Sequence, residues 1–172
     1  MKTTAGLLTR LLPIIAVTCA HSGLRAESVP VGGHPRPGHA RPPLHINATP
    51  SSSTSYAPSQ IRHAYGFDQL PATGSGQKIA LVTAYGNASI QNDLNTFSSQ
   101  FGLAPTTIQV LGNNSGSDTG WALETALDVE WAHAIAPGAT LILSVAASSS
   151  LNDLLNAIDA AVNAGATVVS MS

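Results

Sequence analysis

Lys78-Ile79-Ala80-Leu81-Val82-Thr83-Ala84 is a short apolar run set between Gly76 and Gly86. A half-exposed strand would alternate apolar and polar residues, so an unbroken run of this length has the signature of a strand covered on both faces. Directly after it, Ser89 to Phe101 places Ile90, Leu94, Phe97 and Phe101 on one stripe at helical spacing, and Gly102 supplies the stop. A buried strand followed by an amphipathic helix is the repeating unit of a parallel sheet.

The chain repeats that pair. Thr107 to Leu111 reads as a strand, Asn113 to Gly120 as a polar loop, and Trp121 to Ile135 as a helix stopped by Pro137-Gly138. A strand at Ala139 to Ala146, a helix from Ser150 to Ala164 stopped by Gly165, and a strand at Ala166 to Met171 follow. Three strand-then-helix units and a closing strand predict an α/β fold: a three-layer parallel sheet with helices on both faces, joined by right-handed crossovers. No helix follows Ser172, so the sheet is expected to be truncated on its C-terminal side, with apolar strand surface left open and an isolated chain of poor solubility. Upstream, Ile61, Ala64 and Tyr65 repeat at helical spacing behind Pro58, which marks the start of the folded part at Tyr56.

The 172 residues allow about one compact domain. Only 9% of them are charged and the net charge is -2, which leaves no basic stripe to hold a phosphate backbone and argues against a nucleic-acid partner. Residues 1–26, with Lys2 and Arg10 ahead of Leu11-Leu12-Pro13-Ile14-Ile15-Ala16-Val17, have the charged head and short apolar run of a secretory signal. The run is too short to span a membrane, so no membrane partner is expected once the signal is removed. Cys19 is the single cysteine and falls inside that signal, leaving the mature chain without a disulfide or thiolate site. Residues 27–55 are rich in Pro, His and Ser and read as a disordered linker, where His34, His39 and His45 make a weak metal site at most.

The chemistry lies in Trp121-Ala122-Leu123-Glu124-Thr125-Ala126-Leu127-Asp128-Val129-Glu130-Trp131-Ala132-His133. Glu124 and Asp128 are four apart and project from one helix face, close enough to share a proton and titrate as a unit. Such a pair makes a general base with an orienting partner. Spacing alone favours a solvated helix face, because like charges at this spacing cost a helix only a few tenths of a kcal/mol. Context points the other way: in a chain with so few charges three acids share this helix, and Leu123, Leu127 and Trp131 read as a core stripe beside the Glu124/Asp128 line.

The run Glu124-Thr-Ala-Leu-Asp128 through Ala136-Pro-Gly-Ala139 resembles the helix of the sedolisin (serine-carboxyl) peptidases, which carries a catalytic Glu and Asp four apart. Tyr56 to Gly66 resembles the start of the mature enzymes, and Val168-Val-Ser-Met-Ser172 a strand along their substrate cleft. The similarity covers 56–172, in order, and implies the N-terminal part of a subtilisin-like endopeptidase domain acting on peptide or protein substrates. It implies Glu124 as the general base toward a serine and Asp128 as the acid hydrogen-bonded to it. The family's nucleophile, its oxyanion aspartate and its calcium site would all lie beyond Ser172, so no cofactor is expected in this chain and no activity of the chain alone. Ser170 and Ser172 read as part of a buried strand and its exit and do not replace the nucleophile. Subtilisins place an aspartate at the end of the first buried strand, where this chain has Thr83-Ala84. The segment before Tyr56 is also too short and polar to be the long folded propeptide of many relatives.

Other readings are weaker. Glu130-Trp131-Ala132-His133 has the Glu-x-x-His spacing of a di-iron bundle but occurs once, in a chain that alternates strand and helix. His133 reads instead as a helix-end histidine favoured by the dipole. Asn113-Asn114-Ser115-Gly116 lacks the lysine of a phosphate loop and reads as a surface connection. The sequons at Asn47, Asn87 and Asn113 bear only on a eukaryotic secretory pathway. The alternative from another class is a secreted, non-catalytic α/β domain that binds a peptide or wall polymer.

Overall fold

The computed structural model describes residues 38–41 and 56–172, which belong to one compact unit spanning Pro35–Ser172. The expected signal at 1–26 and most of the expected linker at 27–55, with Cys19, His34, His45 and Asn47, lie outside the described residues. The elements run α1 (Pro58–Ala64), a 3-10 turn (Phe67–Gln69), β1 (Lys78–Ala84), α2 (Ile90–Phe101), β2 (Ile108–Leu111), α3 (Thr119–Ile135), β3 (Thr140–Ala146), α4 (Leu151–Asn163) and β4 (Val168–Met171). All strand pairings are parallel, in the order β2-β3-β1-β4, with Leu81 opposite Leu143 on one side and Ser170 on the other.

Alternate strand residues feed two separate cores. Leu81, Leu141, Leu143 and Val145 point to Ile90 and Leu94 of α2 and Val129 of α3. Val82, Ala84 and Ala146 point the other way, to Leu154 and Ala157 of α4, with Ala80 and Ile142 against Ala161. Each large aliphatic side chain closed off this way stabilises the fold by about 1.5–3 kcal/mol, which is why both faces of β1 and β3 are apolar. The fold is thus a three-layer α/β parallel sheet with helices on both faces.

The crossovers are not uniform in hand. The hand of a crossover follows from the direction it moves along the sheet and the face its helix covers. Between β1 and β2, α2 carries the chain away from β4; α3 carries it back from β2 to β3 on the same face. On the opposite face, α4 carries it from β3 past β1 to β4. The α2 and α4 crossovers therefore share one hand and α3 has the other, so the expectation of right-handed crossovers throughout fails at α3. The loop before α3 explains it. Asn87 N donates to Asn114 Oδ1 and Asn114 Nδ2 donates to Asn87 O, both at 2.7 Å, while Gly116 N donates to Tyr85 O. These bonds tie the loop to the exit of β1, so α3 starts there instead of doubling back over β2.

Strand β4 departs from expectation too. The sequence predicts a buried strand here, yet Val168, Val169 and Met171 are 48%, 36% and 49% exposed. It is an edge strand, paired with β1 alone among the described strands, and none of the described helices closes over it as α4 closes over β1 and β3.

The end of α3 is held from outside the sheet. Arg62 of α1 donates through Nη1 to Ala134 O at 3.0 Å and Ile135 O at 2.7 Å, and through Nη2 to Phe67 O at 3.4 Å. A guanidinium on the last carbonyls of a helix satisfies acceptors that have no intrahelical donor and complements the helix dipole. Arg62→Ala is expected to lower stability by about 1–2 kcal/mol, seen as a lower urea midpoint at unchanged slope, with Arg62→Lys losing less.

Candidate active site

Helix α3 begins where Asp118 caps it, its Oδ1 accepting from Trp121 N at 2.9 Å. From that start Trp121, Thr125, Val129 and His133 recur at intervals of four and are buried, and Glu124 and Ala134 are buried with them. The predicted core stripe of Leu123, Leu127 and Trp131 is displaced: Leu127 is 37% exposed and the other two are only partly covered. The helix is turned so that its carboxylate side faces inward. Thr125 Oγ1 donates to Thr83 Oγ1 at 3.0 Å inside the core, which fixes that rotation against β1.

Glu124 is consequently 3% exposed, and its Oε2 meets no hydrogen-bond partner. The solvated-face reading does not describe it. Asp128, one turn on, is half-buried, and its Oδ2 accepts from Ser172 Oγ at 2.7 Å. Burial pushes the Asp128 carboxyl up to about 6, the Ser172 hydrogen bond opposes that rise, and the charge of Glu124 adds to it. Ser172 thus approaches Asp128 at the exit of β4, a contact absent from the sequence reading. Ser170 lies on the exposed strand.

A second carboxyl on α3 feels the charge of one on α2. Burial and the nearby charge of Asp93 push Glu130 up to about 7. Asp93 is held by Asn87 Nδ2 at 2.9 Å, and the same amide donates to Ala122 O at 3.3 Å, so the Asn87 sequon side chain is committed to structure. This influence links residues far apart in sequence and is visible only once α2 and α3 pack together. His133 is fully buried, with Nε2 donating to Ala104 O at 2.8 Å. It ties the α2–β2 connection to α3 and sits in the core, out of contact with solvent. No group of three or more His, Cys, Asp or Glu able to hold a metal occurs among the described residues.

The same end of the sheet carries two further features. Thr83 and Ala84 end β1 without an acid, and Tyr85 follows in the left-handed region at φ 58 with its ring against the Val82–Trp121 cluster. Across from it, Gly38–Arg41 lies alongside the loop after β3. His39 and Ser150 form an antiparallel bridge, with Ala40 N donating to Ser149 O and Leu151 N donating to Gly38 O, each at 2.7 Å. A cavity of about 200 Å³ opens nearby, lined by Gly112, Ala147, Asp153, Asn156 and Ala160 among others. No described helix is long and apolar enough to cross a membrane.

No protein-family model and no curated protein sequence matches the chain. Among solved structures it is similar to Pseudomonas sedolisin, a serine-carboxyl proteinase, in complex with two molecules of pseudo-iodotyrostatin. The TM-score is 0.57 at 24% sequence identity, over 69% of this chain and 35% of that one. The likeness is one of fold, and this chain spans about a third of that structure's length.

Raised carboxyls make the fold acid-tolerant. The folded state binds the Asp128 and Glu130 protons more tightly than the unfolded chain does, so their stabilisation is complete below about pH 4 and lost as pH rises through 6 to 7. The lowered carboxyls Asp68 and Asp153 act in the opposite sense, but only at still lower pH. Urea unfolding at about pH 4.5 is therefore expected to give a higher midpoint than at about pH 8, with an unfolding free energy larger by on the order of 2 kcal/mol once solvent screening of the half-exposed Glu130 is allowed for, and Glu130→Gln to flatten the upper part of that fall.

Proposed function

We propose that the protein is the N-terminal part of a secreted serine-carboxyl endopeptidase, with Glu124 as general base and Asp128 as the group that positions it. The observation that carries the reading is Glu124 itself, a buried carboxylate whose Oε2 has no partner. Leaving such an atom unpaired costs several kcal/mol, and a site that keeps this cost has an acceptor ready for a proton or a hydroxyl. The sedolisin-like fold and the Glu124-x-x-x-Asp128 spacing agree with it.

In this reading a serine hydroxyl supplied by a segment following Ser172 donates to Glu124. As the serine oxygen bonds to the scissile carbonyl carbon, its proton passes to the Glu124 carboxylate, which then delivers it to the departing amine nitrogen. Asp128, whose carboxyl keeps its proton up to about pH 6, lies one turn along the same helix face and, while protonated, spares Glu124 a second like charge. Ser172 Oγ holds Asp128 in place. Activity therefore belongs to acid solution and falls as Asp128 ionises. The signal at 1–26 would direct the chain out of the cell, its partner there being a peptide or protein substrate. Any calcium would be held by residues after Ser172.

A second reading, a secreted non-catalytic α/β domain that binds peptide or wall polymer, is favoured by one observation: an extended segment pairs through its backbone with the loop after β3. The two part on catalysis. In a protein extended through a serine-bearing segment, Glu124→Gln is expected to lower kcat by about 10³-fold or more with KM nearly unchanged, and Asp128→Asn to lower it less. Wild-type kcat in the Glu124→Gln protein refutes the assignment, and binding without cleavage by the extended wild type selects the second reading.

A further inference from the structure

The cavity of about 200 Å³ lies where β2 and β3 leave the sheet, beneath the N-terminal half of α4. Asp153, Asn156, Ala157 and Ala160 recur at intervals of three and four, so a single stripe of α4 faces the space. Leu111 stands across from that stripe, and Gly112, at φ 85, turns the chain so close to β3 that a Cβ there would meet Val145 O at 2.4 Å. Alanines at 157 and 160 leave open what larger side chains would fill. The carboxyl pair is elsewhere: Glu124 and Asp128 belong to a helix on the opposite face, and Ser172 meets Asp128 at β4, the other edge of the sheet.

Its walls are apolar and its rim is charged. Ser144, the one hydroxyl of the lining, already donates to Ala157 O at 2.7 Å. Asp153 stands in the first turn of α4, where the hydroxyls of Ser148 and Ser150 hold its carboxyl below the usual carboxylate range, helped by the charge of His39. An anion, which a helix start would otherwise draw, is repelled by that carboxylate. Asn156, one turn on and exposed, adds a carboxamide oxygen. The volume falls below the ~300–1,000 Å³ of sites for drug-sized ligands, so the occupant has the size of one side chain. It must combine an apolar body with a cationic head that donates hydrogen bonds.

We propose that this cavity binds a primary alkylammonium group, free or at the end of a lysine side chain, with the alkyl chain between Leu111 and Ala160 and the ammonium donating to Asp153 and Asn156. A lysine side chain lays its methylene stem along apolar surface while its charged head stays at the water boundary, which is the division between walls and rim found here. The ammonium carries more donors than the rim has acceptors, and the open mouth leaves water to take the remainder. The site does not rest on the function proposed above, because it shares no residue with the carboxyl pair.

The test uses the full, isotope-labelled chain at constant ionic strength, titrated with n-butylammonium chloride and with Nα-acetyl-lysine amide while backbone amide shifts are followed by NMR. Saturable shifts at Gly112, Ala147 and Asn156 are expected, with a dissociation constant on the order of millimolar for so small a ligand. n-Pentanol, of equal length and uncharged, should bind about tenfold more weakly, and Asp153→Asn should remove that difference by weakening the ammonium about tenfold. Ala160→Leu, on the exposed side of α4, fills the cavity and should abolish binding of every probe while amide shifts far from α4 stay in place. Saturation by both ammonium probes upholds the site as one for polypeptide lysine, and saturation by butylammonium alone upholds it for a free amine. No saturable shift with either, affinity unchanged in Asp153→Asn, or binding retained in Ala160→Leu overturns the proposal.

Discussion

The hydrogen bond from Thr125 to Thr83, closed inside the core at 3.0 Å, fixes how α3 is rotated on the sheet, and that rotation decides where every acid of the helix lies. With Thr125 locked against β1, Glu124 beside it goes inward, Asp128 reaches the exit of β4, and Glu130 turns to Asp93 of α2. Burying a carboxylate atom without a partner is costly, so the rest of the helix must hold it in place. Here the hold comes from the Asp118 cap at one end, Arg62 at the other, and Trp121, Val129 and His133 along the buried line.

The strands and helices were legible in the sequence because each one carries its own period. The run Lys78–Ala84 and the stripe of Ile90 and Leu94 are local patterns, and their ends agree with the observed elements to within a residue or two. Helix α3 was legible as a helix but not in its phase. Leucine, alanine and tryptophan occur on every side of it, so its apolar residues do not mark one face, and Leu123, Leu127 and Trp131 looked like the core while Trp121, Thr125 and Val129 form it. A threonine pair between distant segments has no local signature, so nothing in the helix alone could have fixed the rotation.

The hand of the α3 crossover was hidden for a related reason. The usual rule assumes a connection free to follow strand twist, whereas the loop before α3 is pinned to Tyr85 and Asn87 by Asn114 and Gly116. Asn113 to Thr119 form the polar loop that their composition predicts, but the paired amide bonds that steer it depend on contact over the end of β1. The same holds for Ser172 and Asp128, which are joined only by strand order. What the residues did reveal was the Glu124-x-x-x-Asp128 spacing, which is enough to nominate the pair but silent on its burial.

Helix α3 holds the Asp128 carboxyl where burial and the neighbouring Glu124 keep it protonated in mildly acid solution. Titration of the Asp128 carboxyl carbon by NMR tests it most directly. The account predicts a midpoint of about 6, moving higher in Ser172→Ala because the hydroxyl favours the ionised form. A midpoint near the ordinary value of ~3.9, unmoved by Ser172→Ala, would contradict it.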